Sequence, residues 1–269
     1  AHGTAHGTAH GTAHGKDALE TNTSNDKIAV ELYYESQCPG CREVLTGSFY
    51  RAFLAAGFLD MADVTLVPYG NAKETGGPAT YAFECQHGES ECVYNTIEAC
   101  ALDKIQRDSD NDQYVTFSYI DCIERHDESR DPEQDYSKAA LFCGRLAGLR
   151  DEVLQQIATC SATDSEEGNQ LVHEMAAKTE ALDPPHTYVP WIVVDGVHND
   201  DIQDKVSTGL LEYVCSEYKG PNKSLDCPPP SETKTNTKPR LHLRSGSGVG
   251  ASRNVCYYGD DKAFTVAKE

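Results

Sequence analysis

Two cysteines separated by two residues, Cys38 and Cys41, are the side chains of this chain whose type and spacing most directly indicate chemistry. They follow the apolar run at residues 28–34 and precede a stretch of helical periodicity that reaches about residue 56. A strand that delivers such a pair to the first turn of a helix is typical of dithiol–disulfide exchange, because the unpaired N–H groups there favour a thiolate. We therefore predict that Cys38 is the attacking sulfur and that Cys41 resolves the mixed disulfide.

Three other interpretations of the pair compete with this one. A structural zinc site normally needs a second close pair of Cys or His ligands, and the chain contains no other Cys-x-x-Cys. A purely structural disulfide within so short a loop would be strained. Chance spacing is the third, since the chain has eleven cysteines. The placement between strand and helix favours the redox interpretation, and we predict no metal site.

The elements that must position this pair follow in a recognisable order. A second β-rich run at residues 64–69 completes a βαβ unit with the first strand and the helix at about residues 41–56. A mostly helical stretch comes next, and β character then returns at residues 189–194, before an Asp195-Gly196 turn and a last helix at about residues 202–218. The predicted elements of the helical stretch are helices at residues 91–106, 137–148, 150–159 and 166–181 and one strand at residues 114–120. The order βαβ, helical insertion at about 78–183, then ββα predicts an α/β thioredoxin-like fold.

Pro190 stands at the start of the last apolar strand. In a thioredoxin-like layout a cis proline at this point faces the Cys-x-x-Cys pair, whereas an ordinary trans proline at a strand start is the alternative. A backbone edge beside Pro190 would pair with an extended, unfolded segment by strand addition. We therefore predict that Val189 and Pro190 bind substrate and hold a peptide disulfide against Cys38.

The composition divides the chain into a core and two tails. Residues 1–26 begin with a His/Gly/Thr repeat without large apolar residues, which predicts disorder. Residues 27–227 suit a single domain, and residues 228–269 form a second tail that begins rich in Pro, Ser, Thr and Lys. The net charge of −20 makes nucleic acid an improbable partner, because such a surface repels phosphate.

Cysteine content indicates the compartment. Eleven cysteines and two glycosylation acceptors, Asn22 and Asn222, favour the secretory pathway over the cytosol. The chain shows no initiating Met, signal peptide or apolar stretch of about 18 residues. We therefore expect that a targeting segment has been removed and that the protein does not insert into a membrane.

The segment from Cys85 to Cys100 carries a resemblance to a known family. It matches the pattern C-Q-H-G-x-x-E-C-x-x-N-x-x-x-x-C of the gamma-interferon-inducible lysosomal thiol reductase family at every fixed position. The Cys-Pro-Gly-Cys sequence and the segments at residues 68–72 and 184–191 are also similar to that family. The resemblance extends over residues 28–227.

The resemblance implies a lysosomal or late endosomal reductase of protein disulfides that works at acid pH and is made as a precursor, with secretion of the precursor a further expectation. It implies unfolded disulfide-containing proteins as substrates, a small-molecule thiol as electron donor and no cofactor. In a host with adaptive immunity it also suggests a role in antigen processing. Cys256 stands where the family's C-terminal propeptide carries a cysteine, so residues 228–269 resemble a propeptide. Cys256 would then be free or would link two precursor chains.

Eight further cysteines are enough for four structural bridges, and the sequence does not select among the 105 pairings. For His87 a structural role is favoured over acid–base catalysis, because the cysteines suffice for exchange. For Arg42 a solvent-facing position on the helix is favoured. The candidates for the bridges are Cys85, Cys92, Cys100, Cys122, Cys143, Cys160, Cys215 and Cys227.

Acid conditions pose a chemical difficulty. An ordinary cysteine thiol is only about 0.03% ionised at about pH 5, and a helix terminus contributes only about 0.3–2 kcal/mol to thiolate stability. Other groups must therefore contribute at the site.

Two alternatives to a reductase remain open from the sequence. One keeps the fold and reverses the direction, giving a disulfide oxidase or isomerase of the secretory pathway. The other is a disulfide-rich secreted binding protein in which the Cys-x-x-Cys pair is inert, and a buried, unreactive Cys38 would support it.

Overall fold

Strand β1 (Ile28–Tyr34) is the middle strand of a three-stranded sheet. The fold is known from a computed structural model that describes residues 27–78, 80–108, 112–126, 136–229 and 254–258. Strand β2 (Ala62–Pro68) pairs with β1 in parallel, and strand β6 (Trp191–Val194) pairs with it in antiparallel orientation. The parallel pair requires a crossover connection, which the first helices of the chain supply.

The helical connection between β1 and β2 is interrupted where the sequence predicts one continuous helix. Helix α1 (Pro39–Glu43) passes into a π-helical turn (Val44–Phe49), which is followed by α2 (Tyr50–Leu54) and α3 (Phe58–Met61). The π-helical turn packs against the last helix, α9 (Asp200–Glu217). The buried Ser48 hydroxyl of the turn donates a hydrogen bond to the Val206 carbonyl and accepts one from the Leu210 N–H, both in α9, so tertiary contacts fix the irregular turn.

Side chains of β1 alternate between the two faces of the sheet, as expected for a buried strand. Leu32 belongs to the cluster that contains Phe49 and Leu210, so this face packs against the first helices and α9. Tyr33 belongs to the opposite cluster with Trp191 and Leu171, which packs against the helical insertion. Both faces of β1 are therefore covered.

A small hairpin, β3 (Lys73–Thr75) and β4 (Ala82–Glu84), leads into the insertion, whose described residues then form five helices. The four predicted helices are confirmed, with their ends shifted by at most two residues. The five helices are α4 (Glu89–Asp108), α5 (Gln113–His126), α6 (Tyr136–Leu146), α7 (Asp151–Cys160) and α8 (Glu166–Glu180).

The predicted strand at residues 114–120 is wrong, because these residues lie in α5. Phe117, Ile120 and Ile123 are all buried, and their spacing of three residues is that of a helix face. The aromatic and β-branched residues of this segment favour a strand by propensity, but packing decides the outcome. Local composition was misleading at this position.

Four disulfides staple the insertion and the end of the domain. Two of them join helices of the insertion to one another, one closes the loop before α4, and one ties α9 to the segment that follows it. The bridges are Cys85–Cys92, Cys100–Cys160, Cys122–Cys143 and Cys215–Cys227.

The second half of the fold is simpler than the predicted ββα unit. A two-residue strand, β5 (Tyr188–Val189), precedes β6, and the Asp195-Gly196 turn leads only to an isolated bridge between Val194 and Val197. Helix α9 then begins after Asn199, whose side chain caps it. With this correction, the predicted α/β thioredoxin-like fold with a helical, disulfide-bonded insertion is confirmed.

None of the helices in the described residues is long and apolar enough to cross a membrane. The N-terminal repeat lies outside the described residues, as does most of the C-terminal tail. The predicted domain boundaries therefore stay predictions.

Candidate active site

The Cys-x-x-Cys pair lies at the junction between β1 and α1. Cys38 is the residue that precedes the helix, with extended backbone angles, and Pro39 occupies the first helical position. Proline suits this position because its missing N–H would be unpaired there in any case. Cys38 and Cys41 are both fully buried.

Cys38 is bonded to a cysteine far along the chain. Its sulfur forms a disulfide with Cys256, 218 residues later, with the two Cα atoms 6.2 Å apart. Cys41 keeps a buried free thiol. The sequence left Cys256 either free or linking two chains, and in the structure it is bonded within its own chain. The burial of Cys38 therefore includes cover from this C-terminal segment.

The C-terminal segment runs beside the proline predicted to bind substrate. The Val189–Pro190 peptide bond is cis, and the Cys38 sulfur lies 3.8 Å from the Val189 carbonyl oxygen. Strand β7 (Cys256–Tyr257) pairs antiparallel with β5, with Cys256 opposite Val189. Val189 thus lies where strand addition by an extended segment takes place.

Two side-chain amides hold the backbone of the same segment. Asn71 Nδ2 donates a hydrogen bond to the Cys256 carbonyl at 2.9 Å, and Gln86 Nε2 donates one to the Tyr257 carbonyl at 2.9 Å. Sequence reasoning missed both residues, although each lies in a segment that carries the family resemblance. The feature of the sequence that could have identified them is an amide side chain in each of the two turns that flank the β3–β4 hairpin.

Gly40, inside the Cys-x-x-Cys sequence, explains how the segment passes over the helix start. A Cβ atom built on Gly40 would lie 1.7 Å from the carbonyl oxygen of Asn254. Any side chain at this position would therefore displace the backbone of the segment. Asn254 also donates a hydrogen bond to Glu43 at 3.2 Å.

Two buried carboxyls and one partly buried imidazole adjoin the sulfurs. His87 Nε2 lies 3.8 Å from the Cys256 sulfur, while its Nδ1 lies 2.5 Å from a Glu91 oxygen and 3.5 Å from a Glu35 oxygen. Glu35 and Glu91 are fully buried. The backbone N–H of Glu35 donates to the Cys41 sulfur at 3.5 Å. This acid–imidazole cluster (Glu35, His87 and Glu91) therefore lies beside the Cys41 sulfur at one end and the Cys256 sulfur at the other.

Burial sets the electrostatics of this cluster. Loss of hydration raises the pKa of Glu35 well above its usual value, the Glu91 charge raises it further, and the hydrogen bond from Asn71 opposes the shift. The pKa of Cys41 is also raised well above its usual value, first by burial and then by the charge on Glu35. Cys41 is therefore held as a thiol unless a neighbouring group takes its proton.

Arg42 does not face solvent as the sequence favoured. Its guanidinium donates to the backbone carbonyl of Glu124 in α5 at 2.9 Å and lies 3.8 Å from the buried Glu124 carboxylate. Arg42 thus joins the start of the first helix to the insertion.

The two glycosylation candidates differ in what the structure describes. Asn222 is exposed in the segment after α9, as an acceptor must be. Asn22 lies outside the described residues.

A thiol pair at a helix start, opposite a cis proline and joined by disulfide to a strand-paired segment, defines the class of thiol–disulfide oxidoreductases. The family model described as "Gamma interferon inducible lysosomal thiol reductase (GILT)" matches residues 29–145. A gamma-interferon-inducible lysosomal thiol reductase of Carassius auratus is 40% identical over 210 residues, covering 78% of this chain and 76% of that protein. The protein of that name from Mus musculus is 36% identical over 202 residues, covering 74% and 71%.

The chain therefore belongs to the gamma-interferon-inducible lysosomal thiol reductase family, which confirms the predicted family and the predicted enzyme class. A solved structure of the MdbA thiol-disulfide oxidoreductase from Corynebacterium diphtheriae aligns with a TM-score of 0.46 at 14% identity. The alignment covers 72% of this chain and 86% of that chain.

Proposed function

We propose that this protein reduces disulfide bonds of unfolded or partly unfolded proteins at acid pH in the lysosome or late endosome, with secretion of its precursor. The observation that carries this proposal is the state of the two cysteines. Cys38 is bonded to an extended segment at the cis-proline edge, while Cys41 keeps its thiol. This is the arrangement of a mixed disulfide between enzyme and substrate.

The exchange takes place in three steps. The Cys38 thiolate attacks one sulfur of a substrate disulfide, so that a mixed disulfide forms and the first substrate thiolate leaves. Cys41 then attacks the Cys38 sulfur, which forms the Cys38–Cys41 disulfide and releases the second substrate thiol. Two equivalents of a small-molecule thiol return the enzyme to its dithiol form and are themselves oxidised to a disulfide, so no cofactor is required.

The acid–imidazole cluster supplies the proton transfers that acid conditions demand. His87 Nε2 lies 3.8 Å from the Cys256 sulfur, which marks the position of the departing substrate sulfur, and an imidazole there is placed to transfer a proton to it. Because its pKa is raised, Glu35 stays neutral to a higher pH than an ordinary carboxyl does, so in acid it adds no negative charge beside Cys41. When Glu35 ionises, its charge raises the pKa of Cys41 further and opposes the second exchange step. The cluster thus favours activity in acid.

The test is reduction of a denatured disulfide protein at pH 4.5 and pH 7 by the pre-reduced full chain and by its Cys38→Ser and Cys41→Ser variants. We expect activity at pH 4.5 that both substitutions abolish, and a mixed disulfide through Cys38 that accumulates in Cys41→Ser. Unchanged turnover in Cys38→Ser would contradict the proposal.

The donor atoms of Glu35, His87 and Glu91 lie within 4.8 Å of one another, close enough to hold a cation. The assay is therefore repeated with EDTA, which we expect to have no effect.

The oxidase or isomerase alternative is separated by the reduction potential of the Cys38–Cys41 pair. Equilibration with a glutathione buffer measures it. A potential near that of protein disulfide isomerase, about −180 mV, would favour the alternative, and a value well below it supports a reductase.

In a host with adaptive immunity, reduction of endocytosed proteins by this activity would contribute to antigen processing.

A further inference from the structure

The segment at residues 254–258 makes more contacts with the active site than a disulfide alone requires. Its backbone pairs with Tyr188 and Val189, and the N–H of Tyr258 donates to the Thr187 carbonyl at 3.0 Å. Asn71 and Gln86 donate to two successive carbonyls of the segment. Such a row of main-chain hydrogen bonds is how proteins hold an extended peptide.

We infer that residues 254–258 are an internal substrate, and that Asn71 and Gln86 form the peptide-binding site that holds a substrate backbone at its reacting cysteine and at the next residue. This inference rests on the proposed reductase function. It also specifies the geometry of the bound substrate, whose cysteine takes the place of Cys256 and whose chain runs antiparallel to β5.

The side chains of the segment indicate which substrates the site prefers. Val255 packs against the cluster that contains Trp191. The Tyr257 ring lies edge-on to Tyr188, with centroids 6.2 Å apart. Tyr258 lies in the same way on His186, at 5.3 Å. The site therefore favours an extended peptide with an apolar residue before its cysteine and aromatic residues after it.

The internal substrate is released by the chemistry of the enzyme itself. The Cys41 thiol loses its proton and attacks the Cys38 sulfur, the Cys38–Cys256 bond breaks, and the Cys256 sulfur takes up a proton. A Cys38–Cys41 disulfide replaces the Cys38–Cys256 disulfide, so no net oxidation occurs. Two equivalents of a small-molecule thiol must then reduce this disulfide before the enzyme reduces a substrate.

The binding site is tested with peptide disulfides and the full chain carrying Cys256→Ser. The substrates are the disulfide dimers of Asn-Val-Cys-Tyr-Tyr and Asn-Val-Cys-Gly-Gly, with hydroxyethyl disulfide as a substrate that lacks a peptide backbone. We expect kcat/KM for the Tyr-Tyr peptide to exceed that for the Gly-Gly peptide by about tenfold, since each aromatic pair contributes modestly. We compare kcat/KM for the Tyr-Tyr peptide with kcat/KM for hydroxyethyl disulfide. Gln86→Ala should lower this ratio by about fivefold, because the peptide loses one hydrogen bond and hydroxyethyl disulfide loses none.

The matched control is Gln156→Ala, a change at an exposed glutamine of α7, which should leave that ratio unchanged. Equal kcat/KM for the two peptides, together with an unchanged ratio in Gln86→Ala, would overturn the inference. Absence of hydroxyethyl disulfide turnover in the parent chain would instead count against the proposed reductase function. The two failures are therefore distinguishable.

The internal occupancy is tested on the full chain before any reductant is added. Peptide mapping without reduction should recover a Cys38–Cys256 link within one chain. Turnover by the wild-type chain should begin with a lag that Cys256→Ser lacks. A Cys256 link between two chains, or equal initial rates for the two proteins, would overturn the internal-substrate assignment.

Discussion

At the residue scale, the active site differs from a pair of cysteines activated by a helix start alone. Burial works against ionisation of Cys41, and the charge of Glu35 adds to that effect when it is present. The titratable groups around Glu35 are His87 and Glu91 on one side and the sulfurs of the active site on the other. Because the pKa of Glu35 is raised, its charge forms beside Cys41 only at a higher pH than for an ordinary carboxyl, which makes this site sensitive to pH.

The first prediction concerns Glu35→Gln. The amide keeps the shape of the side chain but neither exchanges a proton nor ionises. We expect the ratio of kcat/KM at pH 4.5 to kcat/KM at pH 7 to fall by about tenfold, because the variant has no charge beside Cys41 to oppose the second exchange step as the pH rises. Glu89→Gln, at an exposed position in the first turn of α4, is the control. Parallel pH profiles for wild type and Glu35→Gln would refute the assigned role.

At the element scale, the insertion depends on disulfides that join helices distant in sequence. Cys122–Cys143 ties α5 to α6 across a separation of 21 residues. Both sulfurs are buried, Cys143 fully so. The connection between the two helices is long and polar in sequence, so without the bridge the two helices could separate widely in the unfolded chain. The bridge therefore restricts the unfolded chain more than the folded one.

The second prediction is therefore a loss of stability on removal of this bridge. The double change Cys122→Ala and Cys143→Ala should lower the free energy of unfolding by about 2–4 kcal/mol. Urea unfolding at pH 4.5 measures it. Hydroxyethyl disulfide turnover at 25 °C serves as the check that the active site still folds. A difference below about 0.5 kcal/mol would show that the helices pack without the staple.

At the scale of the whole molecule, buried acids link the stability of the fold to pH. Burial raises the pKa of Glu35 and of Asp121, the latter against the opposing effect of Arg125. A carboxyl whose folded-state pKa is raised contributes stability below its unfolded pKa, and this contribution is lost as the pH rises through the folded pKa. His186 acts in the opposite direction, because burial lowers its pKa.

The third prediction isolates the Glu35 contribution by difference. The melting temperature of Glu35→Gln relative to wild type should rise as the pH increases from about 4 to 8, because only the wild type must ionise a buried carboxyl. Thermal unfolding at half-unit pH steps provides the comparison, in which His186 and Asp121 cancel. A difference that stays constant over this range would mean that Glu35 ionises in the folded state as it does in the unfolded chain.

The sequence by itself determined the features that depend on spacing along the chain. The Cys-x-x-Cys pair between a strand and a helix, the four helices of the insertion and the Cys85–Cys100 pattern all follow from short-range periodicity or motif. The same local reasoning gave a strand where α5 forms, because aromatic and β-branched residues suit a strand unless packing places them on one helix face.

Only the tertiary structure decided which distant groups meet at the two cysteines. Cys256 reaches Cys38 across 218 residues, and Asn71 and Gln86 come together with it from separate loops. His87 and Glu91 enclose Glu35 because the start of α4 packs over the end of β1. No local period encodes these contacts, since each depends on how whole elements pack against one another.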